Sequence, residues 1–418
     1  MNAVDYRYRP AAFRAFNRAG RLLRGCGFNP VSLDEKKLLK DAQRGARLED
    51  FGDQDFIQPL RLLLKSYESE SDLNFIGRIA TRSHLLQLLE NRLCVQEDRK
   101  EDPGIAAQEI VRPIFVTGLP RTGSTLLHGL LAQDPANRVP MTWEVMYSSP
   151  PPSRASFATD PRIRKVERLL AWVDRLAPRF KTIHPVGATL PQECIAITAH
   201  AFASIEFHTT HNVPGYQRWL DKDDLKRAYV YHKKVLQHLQ RHCSAERWVL
   251  KAPAHLYGLG ALFDVYPDAR IVHTHRDPMK VVGSIASHGV VLRAAFSDRV
   301  DAAAIASMWS EWWAEGIRRA MQFRAEAPAE RFIDVSYLDL LRDPIDTVKR
   351  LYGQLEMPLT NETEAAMRGF LALHPKDKHG AHRYTLEGFG LDPEEERRRY
   401  AAYYERFDIE AGRSREGA

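Results

Sequence analysis

Four cysteines in 418 residues, all isolated from one another, argue against a disulfide framework and leave no Cys-x-x-Cys zinc site. Cys26, Cys94, Cys194 and Cys243 read as reduced thiols. Long apolar runs are also missing, and none approaches the ~20 uninterrupted residues of a membrane span. The stretch from Met1 to Phe28 has no apolar signal core and carries Arg7, Arg9, Arg14, Arg18, Arg21 and Arg24 instead. A cytoplasmic location is the expectation. Charge of one sign is scarce too: 60 Lys+Arg against 54 Asp+Glu leave a net +6, mild for this length. Nucleic-acid binding, which would want clustered cations with interleaved aromatics, is not expected. The densest basic run, Arg397-Arg398-Arg399, follows Glu394-Glu395-Glu396 and reads as one solvated helix face. What remains, with 44% hydrophobic residues, is a globular chain with a sizeable core.

Leucines at three- and four-residue steps, Leu33, Leu38, Leu39, Leu60, Leu63, Leu64 and Leu85 to Leu93, predict a helical N-terminal region over residues 1–105. Pro103-Gly104 marks the first boundary. Beyond it, short apolar strand candidates at 114–117, 248–251, 271–275 and 332–336 alternate with helical stretches. Such alternation predicts an α/β fold, a parallel sheet flanked by helices, over 106–395. A largely helical insertion over about 145–245 is expected to form a cap on one side of this domain, and 396–418 to form a charged helix and tail. The aromatics Trp172, Phe180, Phe202, Phe207, Tyr216 and Trp219 of the insertion fit either a core or a pocket.

The sharpest local signal is a loop between the apolar run Ile114-Phe115-Val116-Thr117 and Leu126-Leu127-His128-Gly129. From Gly118 it reads G-x-x-x-x-G-S-T, the Walker spacing with Ser124 in place of the required lysine. The cation has moved to Arg121. Backbone N–H groups and a helix N-terminus can still cradle a phosphate there, but the point charge that a kinase sets on a transferred phosphoryl group is absent. The loop is suited to a phosphate that is held and not transferred.

Pro120-Arg121-Thr122-Gly123-Ser124-Thr125 resembles the 5′-phosphosulfate loop, P-[KR]-[ST]-G-[ST]-[ST], of sulfotransferases that use 3′-phosphoadenosine 5′-phosphosulfate (PAPS). Ala269 to Pro278 followed by Val281-Val282-Gly283-Ser284 resembles the family's 3′-phosphate segment, with Arg276 and Ser284 at the matching positions. An Arg fork and a hydroxyl eight residues on can bind a terminal phosphate monoester, and Asp277-Pro278 suits a helix start. Trp248 to Leu256 is similar to the W-x-L-K-[SA]-P-x-H-L segment of the bacterial branch, and His382 to Leu391 to its cofactor-covering loop. Phe332 to Tyr337 with Leu340-Leu341-Arg342-Asp343-Pro344 fits the last core strand and its turn. The mycobacterial-type enzymes are the nearest relatives implied, with tyrosylprotein sulfotransferases more distant. The resemblance implies a P-loop-like fold, PAPS as donor, adenosine 3′,5′-bisphosphate as product, no metal, and a hydroxyl acceptor of lipid or glycolipid type, which leaves room for peripheral membrane contact.

Sulfuryl transfer needs cations on the developing charge and a base for the acceptor hydroxyl. Arg121 and Lys251 supply the cations at positions that resemble the family's. Three residues compete as base. Glu144 follows the first loop's helix, where the tyrosylprotein branch has a glutamate, and its spacing predicts a strand end. Glu193 resembles an acidic residue of the bacterial branch, and His255 the histidine base of the cytosolic branch. The bland alternatives are a capping glutamate, a pocket-lining glutamate and a capping histidine. Lys376, Lys378 and Arg383, in a loop with His374, His379 and His382, are placed to close over the 3′-phosphate. His273 and His275 point to one face of a strand but lack a third ligand at suitable spacing, so no metal is expected. A P-loop phosphotransferase and a non-catalytic protein of the same fold are the competing readings. The acceptor, the pathway and the oligomeric state are not legible.

Overall fold

Five consecutive buried residues, Ile114–Gly118, form strand β1 at the centre of a five-stranded sheet. A strand covered on both faces needs no polar alternation, which is why the sequence shows an unbroken apolar run there. The others are β2 (Asn137–Arg138), β3 (Arg247–Lys251), β4 (Arg270–His275) and β5 (Phe332–Ser336), in the order β2-β3-β1-β4-β5. All neighbours pair in parallel, with Gly118 opposite Thr274 and His273 opposite Asp334. The fold is α/β with a parallel sheet, as the strand spacing predicted; only the two-residue β2 had no signal.

The computed structural model describes residues 11–26, 30–176, 187–374 and 385–409. Two units emerge from the packing. One comprises Met1–Ile110, Pro140–Ser244 and Gly289–Val300, and the other Val111–Val139, Ala245–His288 and Asp301–Ala418. The second holds the sheet. The first is helical, with α1 (Ala11–Gly25), α2 (Glu35–Ala46), α3 (Ile57–Ser69) and α4 (Phe75–Glu101). Asn74 starts α4 by accepting the Gly77 N–H at 2.8 Å. Residues from the 140–244 segment complete the core of these helices: Phe202, Phe207 and Tyr216 pack with Leu60, Leu63, Leu85 and Leu89. Those three aromatics are therefore core, whereas Trp172 is exposed and Trp219 half-buried; Phe180 lies outside the described residues. No disulfide joins the four cysteines, and no described helix is long and apolar enough to cross a membrane.

The helical unit buries several histidines in neutral form. Loss of solvation pushes His200 and His238 down to about 4, His211 and His232 to about 3, and His208 well below its usual value. The unfolded chain would protonate all five near the ordinary histidine value, while the folded unit refuses those protons. Their contribution is fully present above about pH 6.5 and is lost as pH falls, through a window that ends at about 4 for His200 and His238 and at about 3 for His211 and His232. Each ring accounts for up to ~1.4 kcal/mol per pH unit in that window. Urea unfolding at pH 7.5, 6 and 5 is expected to show a steep fall in stability, and a flat profile would contradict the buried neutral rings.

Candidate active site

Strand β1 ends in a turn that only glycine can make. Gly118 has φ 139°, and a Cβ there would stand 2.3 Å from the Thr274 carbonyl of β4. Gly123 has φ 84° and starts helix α5 (Ser124–Leu131). Between them Arg121 is held at φ 66°, a left-handed conformation that costs energy for a residue with a side chain. Its carbonyl accepts a 2.8 Å hydrogen bond from Arg276 Nη1, so the second phosphate candidate braces the first loop. The Arg276 guanidinium also lies 4.1 Å above the ring centre of Tyr337.

Thr122 is fully buried, its hydroxyl 2.6 Å from both the Leu119 carbonyl and the Thr274 hydroxyl. Its hydroxyl shapes the loop from inside. Ser124 is buried, Pro120 half-buried, and Arg121 and Thr125 are exposed. The first amides of α5 have no acceptor one turn back within the helix, and such a helix start is suited to meeting an anion. Lys251, the last residue of β3, is buried and donates from Nζ to Thr125 Oγ1 at 3.3 Å. The structure thus gathers the loop, Lys251 and Arg276 at the C-terminal ends of three adjacent strands. Ser284 is buried in the first turn of the helix Val282–Phe296, and no hydrogen bond joins it to Arg276 among the described residues.

The three base candidates have different settings. Glu144 sits in the short helix α6 (Thr142–Met146), not at a strand end as its spacing predicted. It is fully buried, and its Oε2 accepts the Met141 N–H at 2.9 Å. The strand that should have carried it stops at Arg138 because Pro140 has no N–H to continue the ladder. Glu193 is half-buried at the cap position of the helix Cys194–Thr198. His255 is buried in the 3-10 turn Pro253–Tyr257, with its ring edge-on to Phe115 at 5.0 Å. Lys376, Lys378, His379, His382 and Arg383 lie outside the described residues.

The sequence reading of His273 and His275 needs correction. Register on β4 and β5 brings Asp334 to them, so the third ligand-type group missing from local spacing comes from the neighbouring strand. A cation already faces that set. Arg324 donates to both Asp334 oxygens, at 2.7 and 2.9 Å, and to His273 Nδ1 at 3.0 Å. His275 Nε2 donates to Asp334 at 2.8 Å and its Nδ1 accepts from the Tyr403 hydroxyl at 3.0 Å. Burial raises the Asp334 carboxyl, but the His275 and Arg324 bonds outweigh it and hold the group below the usual range. The cluster braces the strand that delivers Arg276. Asp277 caps the turn Pro278–Lys280 by accepting the Met279 N–H at 2.9 Å.

The C-terminal helix Ala401–Phe407 grips the same strand end. Besides the Tyr403 bond, Tyr404 donates to Asp277, and Phe407 stacks on His275 with centroids 4.2 Å apart. No signal in the motif itself announces this support, because it comes from over 120 residues away in sequence.

Residues 113–361 match the family described as "Sulfotransferase family". Among curated proteins, omega-hydroxy-beta-dihydromenaquinone-9 sulfotransferase Stf3 of Mycobacterium bovis and of Mycobacterium tuberculosis are each 24% identical over 287 residues, 66% of this chain and 70% of theirs. Among solved structures, sulfotransferase STF1 from Mycobacterium tuberculosis is 31% identical, with a TM-score of 0.80 over 90% of this chain and all of that one. Sulfotransferase STF9 from Mycobacterium avium is 29% identical, with a TM-score of 0.85 over 91% of this chain and 98% of the other.

Proposed function

The chain belongs to the sulfotransferase family, and from that premise we propose that it transfers a sulfuryl group from PAPS to a hydroxyl of a lipid-like acceptor. The observation that supports the donor reading is the bond from Arg276 to the Arg121 carbonyl, which ties the arginine proposed for the 3′-phosphate to the loop proposed for the 5′-phosphosulfate. In this reading the α5 amides and the loop from Pro120 to Thr125 hold the 5′-phosphosulfate, and Arg276 with Ser284 holds the 3′-phosphate. Arg121 and Lys251 face the transferring group: the fork spans sulfuryl oxygens, and the ammonium meets the bridging oxygen as the S–O bond to phosphate breaks. The acceptor oxygen forms the new bond to sulfur and gives its proton to a base, for which Glu144 is the first choice and Glu193 and His255 the rivals. Adenosine 3′,5′-bisphosphate leaves. The residues that hold the donor and neutralise its charge are cationic and backbone groups, so the chain's own donors serve without a metal. Lys378 and Arg383 remain proposed as the cover of the 3′-phosphate. The acceptor class rests on the relative named for a hydroxylated dihydromenaquinone. A cytoplasmic site of action fits a cytosolic nucleotide donor.

Thermal unfolding with added nucleotides tests the donor. Adenosine 3′,5′-bisphosphate at a hundredfold above its Kd should add about 2.7 kcal/mol, whereas ATP with Mg²⁺ should add little. The reverse order would mean a phosphotransferase, and no effect of either an inert scaffold. Within this assay Ser284→Ala should weaken the bisphosphate by about tenfold and leave AMP unchanged, the scale of one hydrogen bond to a charged group. Arg276→Ala should weaken both, because it also releases the loop carbonyl. Equal losses in Ser284→Ala for both nucleotides would remove that serine from the 3′-phosphate site.

A further inference from the structure

Helix α1 presents three distinct faces. Asn17 and Gly20, with Phe13 half-buried beside them, turn inward: Asn17 Oδ1 accepts the Ile76 N–H at 3.0 Å, and a Cβ on Gly20 would strike the Phe75 ring. At 3.6 residues per turn the next arc holds Ala15, Phe16, Ala19, Leu22 and Leu23, and every one of them is exposed. Leu22 is 67% exposed, Leu23 42% and Phe16 51%, with one side of the Phe16 ring against Phe75 at 5.2 Å, so three large apolar side chains with exposed surface stand together on one helix. The third arc holds Arg14, Arg18 and Arg21, also exposed. No acidic residue occurs between Ala11 and Gly25. Only Arg21 is shown in an ion pair among the described residues, with Asp298 at 2.8 Å.

We propose that α1 docks this protein on an anionic phospholipid bilayer. An exposed apolar arc flanked by arginines matches the two layers of such a surface: Phe16, Leu22 and Leu23 enter the headgroup and acyl boundary, and Arg14, Arg18 and Arg21 meet lipid phosphates. A helix laid in this way must be fixed to its body on the opposite side, and Asn17 and Gly20 provide that attachment. The net positive charge of the chain adds long-range attraction that salt weakens. Docking goes beyond the transfer reaction. Its purpose, delivery to a membrane-borne hydroxyl, rests on the lipid-acceptor reading, but its physical basis is α1 and the chain's net charge.

Co-sedimentation of the full chain with vesicles tests the inference. Vesicles of equimolar phosphatidylcholine and phosphatidylglycerol should bind the protein about tenfold or more better than phosphatidylcholine alone. Phe16→Ser/Leu22→Ser/Leu23→Ser should lose that binding by a similar factor, and Arg14→Ala/Arg18→Ala should lose it most at low salt. Stabilisation by adenosine 3′,5′-bisphosphate should be the same in all variants, so a failed nucleotide response would fault the donor site and not the docking helix. Equal binding to both vesicle types, or α1 variants that bind like the parent, would overturn the proposal. So would a dimer by light scattering that the triple variant dissociates while vesicle binding is absent, since a second copy would then cover the arc. Helix α7 (Pro161–Leu176) also exposes Leu169 and Trp172 beside Arg164, Lys165 and Arg168. Binding lost in Trp172→Ser and kept in the α1 variants would assign the membrane to α7 instead.

Discussion

Arg121→Ala is expected to reduce sulfuryl transfer by about a hundredfold or more, a loss on the order of 3 kcal/mol in transition-state stabilisation. The side chain is exposed, so its removal creates no cavity and should leave the unfolding midpoint near that of the parent. The backbone adds a second effect. Alanine at φ 66° carries the same left-handed cost as arginine, and the carbonyl held by Arg276 keeps its partner, so the loop should retain its shape. Arg121→Gly would relieve the strained conformation while losing the same charge. If transfer depends on the guanidinium, both variants fall together in a single-turnover assay with labelled PAPS. Full activity in either would remove Arg121 from the sulfuryl group, and a fall in alanine alone would point to loop shape.

Glu144→Gln is expected to lower turnover by roughly a hundredfold or more with cofactor binding nearly unchanged. The structure makes glutamine the right probe. Glu144 accepts the Met141 N–H at the start of α6, and glutamine keeps a carbonyl oxygen for that bond while losing basicity. Glu144→Ala would mix the loss of a base with the loss of a cap contact of about 0.5–2 kcal/mol. Glu193→Gln should do much less, and the ratio of the two rates is the measurement. A reversed ranking moves the base to Glu193. Near-normal rates in both, with a collapse in His255→Ala, give the role to the histidine that packs edge-on against Phe115.

Four of the five strands were legible because each carries a short cluster of buried apolar or β-branched residues between turn residues, a pattern local to a few positions. The loop was legible for a related reason: Gly118 and Gly123 stand at two of its three positions where φ is positive, Arg121 being the third, and a missing lysine is visible by inspection. What stayed hidden is carried by pairing between distant segments. Asp334 reaches His273 through the register of β4 on β5, which no spacing rule along one strand reveals. The bond from Arg276 to Arg121 joins residues 155 apart, so the resemblance marked both positions without showing that one supports the other. Glu144 was expected at a strand end because the helix after the loop is normally followed by a strand; β2 is present but stops after two residues. The aromatics of the 140–244 segment were ambiguous because core and pocket share one composition, and contacts alone divided them.

The grip of Ala401–Phe407 on the end of β4 bears on how related genes are read. A stop codon just before Ala401 would leave every motif from Pro120 to Ser284 intact in the translated product. Yet His275 would lose the Tyr403 hydroxyl and the Phe407 ring, and Asp277 would lose Tyr404. Arg276, the proposed phosphate anchor, would then follow a strand end without those contacts. A gene copy shortened at that point keeps the motifs and loses these supports, so intact motifs alone do not mark it as equivalent to the full chain.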